Sequence, residues 1–245
     1  MRARVYLSIL AFLLPFGSPA LAQGEQSCDT NELLDAYRHM IEVERAYQDA
    51  VRKYCGPDHP NPSFAELWAS VARPNDECKS KVPDVSSVSA TEERLRTCAE
   101  TDSAVAAYLY GERIVMTRLY YSREAAKNPE SERVRRDLEH SGKVTLPRTS
   151  DIAAEALGYL QKAYALDPKL APAAEHSGDL LVSGDVGTGR RFEALDWYYR
   201  AATAYDGWQM PQDEKRQHTT RILEKMVGID RENPLTKKLE QSLYK

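Results

Sequence analysis

Between Pro172 and Trp208 the chain reads PAAEHSGDLLVSGDVGTGRRFEALDWYYRAATAYDGW, and the spacing of its small and aromatic residues restricts it to two closely packed helices. Ala194, Trp197, Tyr198, Ala201 and Ala202 step by three or four and so share one helical face. Small residues on such a face let a second helix approach, and Trp197 with Tyr198 fills the space beside them. Gly178 and Gly184 mark the body and the end of the preceding helix, and the Gly-rich run 184–190 is the turn between the two.

The register of Gly178, Gly184 and Ala194-x-x-Trp197-Tyr198-x-x-Ala201-Ala202 resembles a Sel1-like repeat, a relative of the tetratricopeptide repeat. It departs from that pattern at Leu181, where an aromatic residue is usual, and at Val186, where a second turn glycine is expected. Upstream, EALGYLQKAYALDP repeats the second-helix pattern through Ala156, Tyr159, Leu160 and Ala163, so about one and a half repeats are legible over residues 151–208. The resemblance implies a stack of helix pairs whose first helices line a concave face. The matching outward positions are Glu175, Asp179, Val182 and Ser183, a mildly acidic groove that suits a basic peptide or protein segment.

Residues 1–22 have the plan of a cleaved export signal: Arg2 and Arg4, then YLSILAFLLPF, then Ala20-Leu21-Ala22. Pro15 and Gly17 break an apolar run already too short to span a bilayer, so the expectation is a protein without stable membrane insertion, periplasmic or secreted. Of 33 basic residues two leave with that segment, so 31 remain against 37 acidic ones and the charge becomes −6. That balance argues against nucleic acid as a partner, which needs clustered positive charge.

Cys28, Cys55, Cys78 and Cys98 all precede the repeat region, and an even set in an exported chain reads as two disulfides. A Cys28–Cys55 bond is disfavoured, because the helix between them would be about 40 Å long whereas bonded cysteines need Cα atoms within about 7 Å. Of the two remaining arrangements, Cys55–Cys78 with Cys28–Cys98 is preferred. Cys55 lies near His59, but no second pair stands at zinc-finger spacing, so no metal is expected.

In chain order, Leu33, Tyr37, Met40, Tyr47, Val51 and Tyr54 form one buried seam of a long helix begun by Asp29 and stopped by Gly56-Pro57, with Glu44 at the missed position. Ser63-x-x-Glu66 opens a short helix through Trp68 that Pro74 stops. Ser89-x-x-Glu92 opens a second long helix with Leu95, Cys98, Val105, Leu109, Met116 and Leu119 on its seam. The two long seams predict a disulfide-stapled helical hairpin or small bundle over 23–128. A charged linker follows at 129–150, then the repeat region at 151–245, where Asp151 caps one helix and Asp167-Pro168 closes it. Pro211 begins another helix, ended by Gly228 and Asn233-Pro234, and a polar terminal helix caps the stack. The predicted fold class is all-α.

No catalytic constellation emerges. His39, His59, His140, His176 and His218 lack metal-site spacing, GDVGTGR lacks the GK[ST] ending of a phosphate cradle, and no nucleophile elbow is present. Neither cofactor nor catalytic residue is assigned. The expectation is an exported scaffold that binds a protein; the alternative is an envelope enzyme or hydrolase inhibitor acting through the Cys-bearing region.

Overall fold

The computed structural model describes residues 27–54, 83–127 and 147–243, and every regular element among them is helical. The export segment, Cys55, Cys78, the short helix around Trp68 and most of the charged linker lie outside these residues. Two compact units are distinguished, one joining Thr117–Arg148 to the residues up to Thr97, the other joining Cys98–Met116 to Thr149–Lys245.

Helix α1, Thr30–Tyr54, starts where expected: the Asp29 carboxylate accepts the backbone N–H groups of Asn31 and Glu32 at 2.9 and 3.1 Å. Its seam buries Leu33, Met40 and Tyr47, and the polar exception Glu44 is buried with them. Helix α2, Ser86–Glu100, runs antiparallel to it. Arg94 near its end donates to the Ser27 carbonyl and to Glu32, while Val85 and Val88 at its start pack on Met40 and Tyr47. Cys28 and Cys98 are bonded to each other, one of the two bonds of the preferred arrangement; the other, Cys55–Cys78, lies outside the described residues.

The second long helix is corrected in two respects. It begins at Ser86 rather than Ser89, because Asp84 accepts the Ser86 N–H at 3.0 Å and serves as the cap. It also ends at Glu100: Asp102 adopts φ 71°, and Ser103 caps a new helix α3, Ala104–Ile114, by accepting the Ala106 N–H. The apolar periodicity runs through this break, but Thr101-Asp102-Ser103 supplies side chains that compete for backbone groups and restart the helix. Beyond α3 the chain winds as a π-helix over Val115–Leu119, then as α4, Tyr120–Ala126. The wider turn shifts the seam, so Leu119 is buried whereas Met116 is 66% exposed.

In the second unit, α3 lies antiparallel to α5, Thr149–Leu166: Tyr110 meets Tyr159 edge-on at 4.8 Å, and Lys162 reaches Asp102 and the Glu100 carbonyl. Thus α3, read from sequence as part of the Cys-bearing region, is the packing partner of the first helix after the linker. Asp151 is corrected from cap to first-turn residue, since the helix starts two residues earlier. Asp167 follows the last turn as expected, and its carboxylate accepts the Lys169 N–H.

Helix α6, Ala171–Ser183, and α7, Glu193–Asp206, form the next pair. Gly178 is required there: a Cβ would fall 2.6 Å from Tyr198 Cε1. Gly184 ends α6 in the left-handed region with φ 82°. Ala194, Tyr198, Ala201 and Ala202 are buried, and partly exposed Trp197 packs edge-on against Tyr164 beneath Arg200. Helix α8, Gln212–Ile229, starts directly after Pro211 and continues past Gly228, and α9, Pro234–Leu243, turns back from it. Contacts between Tyr108 and His176, and between α6 and α8, place α3, α6 and α8 in one layer. Contacts of Tyr164 with Trp197 and of Lys238 with Tyr199 place α5, α7 and α9 in the other.

Candidate functional site

The outward acidic positions sit on α6, where Glu175 and Asp179 are one helical turn apart and meet Arg221 and Lys225, also one turn apart, on α8. Glu175 accepts from Arg221 at 2.7 Å and from Lys225 at 2.8 Å; Asp179 accepts from Lys225 at 2.8 Å. Helix α7 closes the group from below, with the Tyr205 hydroxyl donating to Glu175 at 3.0 Å and Tyr198 donating to Asp179 at 2.7 Å. Tyr205 also stacks on His218, and Lys225 lies over the Tyr198 ring.

The electrostatics follow from that enclosure. Burial pushes the Glu175 carboxyl up, but the hydrogen bonds and charges of Lys225 and Arg221 outweigh it and hold the group below the usual carboxylate range. Burial raises the Tyr198 and Tyr205 hydroxyls, and the neighbouring carboxylates raise them further. A carboxylate held ionised and phenols held protonated are poor proton shuttles near neutral pH. The cluster therefore ties three helices together.

The outward reading of Glu175 is corrected: it is 5% exposed and answered by the chain's own cations. Asp179 is partly exposed, Val182 half-buried and Ser183 exposed, with the Ser183 hydroxyl against the Leu180 carbonyl and the Asp185 carboxylate. Sequence reasoning missed Arg221, Lys225, Tyr205 and His218. The matching four-residue spacings of the two acids and the two cations were a usable signal, but many charged pairs share that spacing. Past Arg221, the exposed side chains of Asp213, Arg216, Gln217, Thr220 and Glu224 border an open concavity along α8.

Among the described residues no group of three His, Cys, Asp or Glu side chains is placed to hold a metal ion, and no helix is long and apolar enough to cross a membrane. Comparison with protein-family models, with curated proteins and with solved structures finds no match for this chain.

Proposed function

We propose that the chain is an exported docking scaffold that holds a protein or peptide segment against the exposed face of α8. The carrying observation is the open concavity along α8, whose exposed polar side chains stand on a helix fixed by the buried Glu175 cluster. A rigid support lowers the ordering cost of binding, which favours recognition by a surface of modest size. The export segment read from sequence at residues 1–22 supports a location in the periplasm or outside the cell.

The partner is tested by crosslinking the full chain in envelope extract and comparing it with a Gln217→Arg, Thr220→Arg variant. Both positions are solvent-facing, so folding is retained while two bulky cations enter the concavity. Loss of one specific crosslinked species, with Thr203→Arg on exposed α7 surface retaining it, supports the reading. Equal capture by all three proteins refutes it.

A further inference from the structure

His218 stands at the edge of the Glu175 cluster. Its ring lies flat on Tyr205 of α7, with centroids 4.2 Å apart and planes 13° from parallel. Its Nδ1 is 3.1 Å from Arg221 Nη2. An arginine offers only N–H donors, so this contact is a hydrogen bond when Nδ1 is bare and the ring proton sits on Nε2. The geometry thus calls for a neutral imidazole. Histidine is the side chain whose charge ordinarily changes between about pH 5 and pH 8, and once charged both its nitrogens carry protons. Nδ1–H would then point at a guanidinium.

The surroundings do little to compensate that extra charge. On α6, Glu175 and Asp179 are already balanced by Arg221 and Lys225, two acids against two cations. On α7 the facing group is the Tyr205 hydroxyl, which donates to Glu175. On α8 the charged groups one turn away are Glu214 and Lys215 before His218 and Arg221 after it, and the Lys215 ammonium donates to the Asp206 carbonyl. Asp213, Arg216 and Glu224 border the same concavity, but lie outside the three- and four-residue spacings that bring helix side chains together. Glu214 is the acid placed to answer an imidazolium, and an exposed pair of that kind is weak. The Tyr205 face attracts a cation, yet a ring stacked there still aims its new N–H at Arg221.

Of the two groups the imidazole is the one that yields. Arg221 is held by buried Glu175 at 2.7 Å through a charge-assisted bond, whereas His218 is held by its ring contact and by Arg221. We propose that His218 is an acid-sensitive latch on α8: neutral, it covers Tyr205; protonated, it leaves Arg221 and turns out into the concavity. Tyr205 is 3% exposed with the ring in place, and Trp208 lies edge-on to it at 5.1 Å. Opening bares an aromatic surface at the border of the concavity, while Glu175 keeps Arg221, Lys225 and the helix where they are. The closed form has no place for the second proton, so it prevails at higher pH and is depleted as pH falls. The latch is a property of the chain alone; its bearing on what α8 holds rests on the docking reading above.

The test is a titration of the full chain, carrying isotope-labelled His, Tyr and Trp, from about pH 8 to about pH 5 and followed by NMR. At the upper end the His218 nitrogen shifts are expected to show the Nε2–H tautomer, with cross-peaks between the His218 and Tyr205 rings. As His218 gains its proton those cross-peaks are expected to vanish, while cross-peaks between Tyr205 and Trp208 persist and report an intact fold. In Arg221→Gln, where Lys225 and Tyr205 still hold Glu175, the ring is expected to stay on Tyr205 throughout. An Nδ1–H tautomer at the upper end, cross-peaks that survive protonation, or the same release in Arg221→Gln overturns the latch. An envelope partner captured equally by wild type and Gln217→Arg, Thr220→Arg refutes docking and leaves a latch seen by NMR standing. A ring that stays closed when protonated overturns the latch whatever is captured.

Discussion

One substitution made at two glycines separates local preference from tertiary packing. In an open helical position, Gly→Ala stabilises by about 0.8–1 kcal/mol through backbone entropy. Gly158 on α5 is exposed, and its added Cβ would meet nothing within 4 Å. Gly158→Ala should realise that gain. At Gly178 the added carbon would fall 2.6, 2.7 and 3.0 Å from three Tyr198 ring atoms, against about 3.5–4.0 Å for carbon contact. The ring has little room to retreat, because Tyr198 is 2% exposed and its hydroxyl is held by Asp179. Overpacking of this kind costs about 1–3 kcal/mol, so after the helix gain of about 1 kcal/mol Gly178→Ala should destabilise by up to about 2 kcal/mol. For a domain of this size each 1 kcal/mol moves Tm by about 2–4 °C. Calorimetry should therefore show Gly158→Ala raised by about 2–4 °C and Gly178→Ala lowered by up to about 8 °C. Adding Tyr198→Leu to Gly178→Ala should recover part of the loss relative to Tyr198→Leu alone. A Gly178→Ala protein as stable as Gly158→Ala would refute the close approach of α6 and α7.

Three further outcomes follow from named contacts. Glu175 has a folded pKa below its ordinary value, so its contribution is complete above the ordinary carboxylate range and fades as pH falls through the folded value; Glu175→Gln should lower stability at pH 7 by about 2–3 kcal/mol, with the deficit shrinking in acid denaturation curves. Ser103→Ala removes the cap of α3 and should cost about 1 kcal/mol in urea unfolding. Cys28→Ser removes the Cys28–Cys98 bond and should lower stability by about 2–4 kcal/mol, an effect abolished when wild type and variant are compared under reducing conditions.

Much of the helical content could be read locally. Asp29 announced α1, Gly184 announced the end of α6, and the three-and-four steps of Ala194 to Ala202 announced the buried face of α7, because capping and amphipathicity depend on residues close in sequence. The break at Asp102 was hidden by an apolar seam that continues across it. The π-turn after Ile114 was hidden for the converse reason: nothing local marks it, and it is seen only in which side chains it exposes.

The sequence by itself determined that helices form, that the small-residue face of α7 is buried, and that Glu175 and Asp179 share a side of α6. Tertiary structure decided what those faces meet. Tyr108 reaches His176 only because α3 returns to pack with α5 across a long connection, and Glu175 is enclosed only because α8 lays Arg221 and Lys225 over it. Local rules act over a few residues, whereas an ion pair between residues 46 positions apart exists only once intervening helices have chosen their neighbours.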